Sequence, residues 1–189
     1  MGGTAEWIEN LANPEPRIRE AAARALHRAG DRLGEEAVAK WRNDGELSAL
    51  LVPNAPTIGI AVFPASFARI RHAFGSPRLA DVPADQDAQE FELHVAGASL
   101  DLLTVRDEAA EPQPPGAIAR FLEKFGEGIQ QVEYQVSNVD RATEILRARF
   151  GVAPVYPATR AGADKTRVNF FLCAAAGGKK VLVELVEQP

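Results

Sequence analysis

The sequence predicts an α+β fold: two tandem βαβββ modules preceded by a small all-α segment. Three observations carry that prediction. The stretch Phe121 to Val136, FLEKFGEGIQQVEYQV, reads as a helical tail, a Gly-Glu-Gly turn and a strand. Gly126 and Gly128 stop the helix, and after them Val132, Tyr134 and Val136 fall on one face while Gln131, Glu133 and Gln135 fall on the other. This strand has an earlier echo at Thr57 to Val62. Beyond each strand, Arg71-His72-Ala73-Phe74-Gly75 answers Arg147-Ala148-Arg149-Phe150-Gly151, and Asp101 in SLDLLTV answers Glu184 in VLVELVE. The chain after about residue 55 is one unit written twice.

Composition narrows the class. A chain of 189 residues, 46% apolar and 25% charged, suits one ordinary core with an appendage or two small modules. Its net charge of −5, from 21 basic and 26 acidic residues, argues against nucleic acid and anionic membranes as partners. Cys173 is the only cysteine, so an intrachain disulfide and a multi-cysteine metal site are excluded. Its place in the apolar run Val168 to Ala176 predicts a buried, inert thiol. No charged stretch followed by an apolar core opens the chain, and no apolar run approaches the ~20 residues that span a bilayer. The expected location is cytoplasmic.

The elements follow in order. Thr4 to Ala12 reads as a short helix with Trp7, Ile8 and Leu11 on one face, broken by Asn13-Pro14-Glu15-Pro16. A second helix is expected from about Pro16 to Ala29 with Gly30 as its exit, and a third from Gly34 to Trp41. Asn43-Asp44-Gly45 and Val52 to Pro56 read as turn and linker. Module one then runs from strand Thr57–Val62 through helix Ala65–Phe74 to strands at Phe91–Ala96 and Ala98–Val105, joined at Gly97. Asp107 to Pro115, with three prolines and three acids, reads as a linker before the helix Gly116–Phe125. Module two continues with helix Val139–Phe150 closed by Gly151, a short strand at Val152–Tyr156, a loop at Thr159–Thr166, and strands at Val168–Cys173 and Val181–Val186. Gly177-Gly178-Lys179-Lys180 lacks Walker spacing and reads as a hairpin turn. The resulting division is a helical segment at 1–52 and a domain at 53–189, made of module one (56–106), linker and helix (107–128) and module two (129–189).

Two resemblances attach to these residues. LANPEPRIREAAARALHRAGD resembles a single HEAT repeat, which alone cannot bury its apolar face and is expected to pack on the following domain or on a second chain. The duplicated βαβββ pattern resembles the vicinal-oxygen-chelate superfamily, which includes glyoxalase I, methylmalonyl-CoA epimerase and bleomycin-resistance-type binding proteins. FLEKFGEGIQQVEYQV and GGKKVLVELVE are most similar to methylmalonyl-CoA epimerases, over most of residues 117 to 187. Residues 57 to 105 match more loosely. The resemblance implies a cupped mixed sheet with the site in its concavity.

The family's metal positions, held in epimerases by His, Gln, His and Glu, fall here on Thr57, Asp101, Gln131 and Glu184. Both histidines are absent. Imidazole suits cobalt, zinc or nickel, whereas a Thr hydroxyl and a Gln carbonyl are weak donors. The divalent metal that the resemblance implies therefore meets an all-oxygen set.

Glu184 is the foremost catalytic candidate. Set between Val183 and Leu185, a buried carboxylate there needs a metal, a partner or a raised pKa, the last making it a base. The alternative is a solvated face with Leu182 and Val186 turned inward. Asp101 poses the same question. His94, on a strand with Glu92, is either a displaced ligand or base, or a hydrogen-bonded surface histidine. His27 and His72 are expected at the surface. Asp81, Asp85 and Asp87 are the options for a second acid–base carboxylate, with no motif to choose among them. Arg160, Lys165 and Arg167 either receive an anionic substrate such as the phosphates of a CoA thioester or are solvated loop charge.

Two principal functions are in view, with a third alongside. One is an isomerase or lyase abstracting a proton alpha to a carbonyl or CoA thioester. Its alternative is a metal-free, non-catalytic binder of small molecules. The third is an interaction module acting through the helical segment. A homodimer is compatible with each.

Overall fold

The computed structural model describes residues 2–106, 115–175 and 180–189. The linker expected at Asp107 to Pro115 and the turn at Gly177 to Lys180 fall almost wholly outside the described residues. Two compact units emerge: residues 1–28 with 58–130, and residues 29–57 with 131–189.

The first unit opens with α1 (Thr4–Asn10) and the beginning of α2 (Pro16–Val38). Arg19 ties the turn between them, its guanidinium donating to the carbonyl oxygens of Asn13 at 2.8 Å and Pro14 at 3.0 Å. It also lies over the ring of Phe74. The module follows as β1 (Thr57–Ala61) from Ile58 onward, α4 (Pro64–Ala73), β2 (Ala88–Val95), β3 (Ala98–Val105) and α5 (Ala117–Phe125). β1 runs parallel to β3, and β2 antiparallel to it. Ala96 and Gly97, at φ 51° and 77°, make the tight hairpin turn whose left-handed geometry suits the twist of the strands. Alternation sends Phe91, Leu93, Leu100, Leu102, Ile58 and Ile60 into the core, where Phe67 of α4 meets Phe91 edge-on.

The second unit holds the end of α2, a 3-10 turn at Trp41–Asn43, α3 (Gly45–Leu50), β4 (Gly128–Gln135) from Gln131 onward, α6 (Val139–Phe150), β5 (Arg160–Ala161), β6 (Arg167–Ala174) and β7 (Lys180–Glu187). Its strands run in the order β4-β7-β6-β5, with β4 parallel to β7 and the remaining pairs antiparallel. Val132, Tyr134, Val183, Leu185 and Phe171 form the buried face, and Trp41 packs edge-on against Phe171. α3 is fastened to α6: Arg149 grips Asp44 at 2.9 Å and also Glu46, and Arg141 grips Glu46 at 2.6 Å.

Four expectations change. The helices expected at 16–29 and 34–41 are one helix, because Gly30 and Gly34 do not end it. Gly34 serves close packing instead: a Cβ there would meet Val132 Cγ1 at 2.7 Å and the Tyr134 hydroxyl as well. Asp44, expected in a turn, is the N-cap of α3, its carboxylate accepting from the N–H groups of Glu46 and Leu47. Val152–Tyr156 is not a strand. Pro154 and Pro157 leave it one bridge to Phe171 and one bond from Val155 N–H to the Phe170 carbonyl at 2.7 Å. In module one, Pro77 and Pro83 flank a segment whose single ladder-like bond runs from Ala80 N–H to the Glu90 carbonyl. No helix among the described residues is long and apolar enough to cross a membrane.

Candidate functional site

In the second unit the register decides what surrounds Glu184. β7 pairs Glu184 with Phe170 of β6 on one side and with Glu133 of β4 on the other. Along β7 its same-face neighbours are Leu182 and Val186. Gln131, registered with Leu182, reaches diagonally so that its Nε2–H donates to a Glu184 carboxylate oxygen. Glu184 is only 8% exposed and Gln131 7%, so the expected alternative of a solvated Glu184 does not hold. A buried carboxylate needs such donors, since leaving one unmatched costs about 1–3 kcal/mol or more.

An aromatic flank continues this face. The Tyr156 ring meets Phe170 edge-on at 5.9 Å between centroids, and the Arg160 guanidinium stacks over Tyr156 at 4.3 Å. Arg160 pairs with Val168 in register, which places it on the Glu184 face. Arg167 lies on the opposite face. There it bonds Asp140 at 2.5 Å and Glu187 at 3.1 Å, so it fastens α6 to the sheet. Lys165 is exposed, in a left-handed turn at φ 67°.

Asp101 stands in the first unit, 6% exposed, registered with Gly59 of β1 and Glu92 of β2. His94 shares that face, but both ring nitrogens are engaged, with Ser99 Oγ at 3.2 Å and Glu92 Oε2 at 3.0 Å. Its side chain is 66% exposed. That is the hydrogen-bonded surface histidine of the two readings. Thr57, half-buried, opens β1.

Glu133, Phe170 and Tyr156 were not expected at the site. The signal for Glu133 lay in the alternation of β4, which sets it on the face of Gln131. Phe170 and Tyr156 have no motif; the β6–β7 register brings Phe170 to Glu184, and an edge-on contact brings Tyr156 to Phe170.

Three carboxylates of this unit are held by structural pairs. The Thr159 hydroxyl and the Arg167 guanidinium hold the Asp140 carboxyl below its ordinary range. The Leu47 N–H and Arg149 do the same for Asp44, as Arg141 and Arg149 do for Glu46. Burial pushes the Cys173 thiol up to about 12, in keeping with an inert cysteine.

The positions that the resemblance gives to a metal are Thr57, Asp101, Gln131 and Glu184. Among the described residues no three His, Cys, Asp or Glu side chains are grouped to hold a metal ion. At position 131 an amide N–H turns toward Glu184, where a metal site needs a lone pair turned toward the ion.

Comparison with solved structures places this architecture. Methylmalonyl-CoA epimerase from Mycobacterium tuberculosis is 35% identical, with a TM-score of 0.54, over 70% of this chain and 86% of that one. A hypothetical protein from Bacillus halodurans is 24% identical, with a TM-score of 0.55, over 70% and 92%. A variant of methylmalonyl-CoA epimerase from Streptomyces coelicolor, in complex with 2-nitronate-propionyl-CoA, is 25% identical, with a TM-score of 0.53, over 74% and 98%. No protein-family model matches the chain, and no curated protein does.

Proposed function

The chain belongs to the methylmalonyl-CoA epimerase family of vicinal-oxygen-chelate proteins, and we propose that it binds a small acyl ligand of the thioester kind without a divalent metal. The site is the Glu184 face of the second module. The observation that carries this reading is the bond from Gln131 Nε2–H to Glu184. An imidazole at position 131 would offer a lone pair to a cation; the amide offers a proton to the carboxylate, and the two side chains satisfy each other. Stabilising an enolate demands a strong electrophile where the negative charge develops. Neither the Gln131 amide nor the Thr57 hydroxyl supplies a positive charge. Binding without epimerisation is the outcome this chemistry favours. The complex of the Streptomyces coelicolor relative with 2-nitronate-propionyl-CoA supports the thioester class.

A second reading rests on the burial of Glu184 beside Phe170 and Leu182, where a carboxylate is costly to hold and useful as a base. In it Glu184 removes a proton alpha to the thioester carbonyl.

One experiment separates the two. Methylmalonyl-CoA is titrated calorimetrically against the protein in EDTA, and deuterium incorporation at its C2 is followed in heavy water. Heat of binding without exchange supports the first reading. Exchange in EDTA that disappears in Glu184→Gln supports the second. Exchange that requires added cobalt would refute the metal-free site itself.

A further inference from the structure

We infer that the groove between α1 and the first turns of α2 is a separate ligand site, which takes a free amino acid with an apolar side chain. It lies wholly within the first unit and does not depend on the Glu184 face.

The packing of the two helices leaves this groove open. Ile8, Leu11, Ala23 and Leu26 are buried in the core. Beside them in sequence or a turn away, Trp7 and Ile18 are only half-buried, although cores readily absorb such side chains. Both line a cavity of about 330 Å³, where Ala21 and Ala22 supply the short side chains that leave it room. The turn joining the helices is fixed by Arg19, which holds the carbonyls of Asn13 and Pro14. Asn13 Oδ1 adds a bond accepted from the Glu15 N–H at 3.0 Å. A groove held in this way exists before its ligand arrives, so little ordering is lost on binding.

Size and charge choose the occupant. The cavity is at the lower end of the range of about 300–1,000 Å³ that holds small molecules. It has room for a body the size of an amino acid and none for a nucleotide-bearing thioester. Its polar lining carries both charges, Glu6 from α1 and Arg17 from α2, with the Asn10 amide. Both charged side chains are exposed, and among the described residues neither is engaged in an ion pair. A ligand with a single charge would be attracted by one of them and repelled by the other. A zwitterion answers both: its carboxylate goes to Arg17, its ammonium to Glu6, and its apolar side chain to Trp7 and Ile18.

The test titrates L-phenylalanine, 3-phenylpropionate and phenethylamine against the full chain by NMR, following backbone amides and the Trp7 indole N–H. The indole resonance is assigned by its loss in Trp7→Phe. L-Phenylalanine is expected to shift it together with the amides of residues 6–10 and 17–22. It should bind at least about threefold more tightly than either singly charged analogue. Arg17→Gln should weaken L-phenylalanine about threefold and leave phenethylamine no weaker, and Glu6→Gln should do the same with 3-phenylpropionate spared. Both positions are exposed, and the ligand-free spectra of the variants report that the fold is kept. A Trp7 indole unmoved by L-phenylalanine would overturn the inference. So would equal or tighter binding of either analogue, or an undiminished affinity for L-phenylalanine in either variant.

Discussion

The two modules share a ladder, a register and a carboxylate in the last strand, and they differ in what stands beside it. In module one Asp101 has Gly59 on its β1 side and Glu92 on its β2 side, with the exposed His94–Glu92 pair close by. In module two Glu184 has Glu133, Phe170 and the donating amide of Gln131. A backbone plan was thus kept twice while the side-chain environment was built up once. Duplication sets where a carboxylate can sit; its neighbours set what it can do. Both carboxylates are buried; module two has the aromatic wall and the donating amide, whereas module one has the exposed His94–Glu92 pair.

The shared half of this comparison carries the largest expected effect. Phe91 and Phe171 are both fully buried on the core faces of their sheets. Phe91→Ala and Phe171→Ala are each expected to cost about 3–5 kcal/mol in urea-induced unfolding. A loss under 1 kcal/mol in either would show that the two cores are not equivalent.

The unshared half gives the next effect. Gln131→Leu removes the donor from a buried carboxylate and is expected to destabilise by about 1–3 kcal/mol. His94→Ala, in module one, removes an exposed pair and is expected to stay within about 0.5 kcal/mol. Equal losses in the two variants would erase the proposed asymmetry.

The smallest effect is in acid. Asp44, Glu46 and Asp140 have folded pKa values below their unfolded ones, so their stabilisation is complete above the unfolded values and fades as pH falls through the folded ones. Melting temperature should therefore fall as pH drops below about 4, and Asp44→Asn should make that fall shallower. All three groups lie in the second unit. An unchanged pH profile in Asp44→Asn would remove the Asp44–Arg149 pair from the explanation.

How much of this was legible beforehand depends on the distance over which each signal acts. The repeated strand–helix–strand order, the pairing of Asp101 with Glu184 and the face of Gln131 all follow from period-two alternation and short echoes, which are local. Gly34 misled because a glycine that ends a helix and a glycine that admits a tyrosine hydroxyl look alike until Tyr134 is brought against it. Arg167 read as a ligand-binding cation because its partners Asp140 and Glu187 are distant in sequence. Phe170 and Tyr156 were invisible for the same reason. Cross-strand register makes Phe170 a neighbour of the site, and ring packing on Phe170 adds Tyr156.

The most direct measurement is an amide NMR titration of the protein in EDTA with methylmalonyl-CoA. Shifts are expected at Gln131, Phe170 and Glu184, with saturation unaffected by added divalent metal. Shifts confined to residues 88–105, or appearing only once metal is supplied, would contradict a metal-free site on the second module.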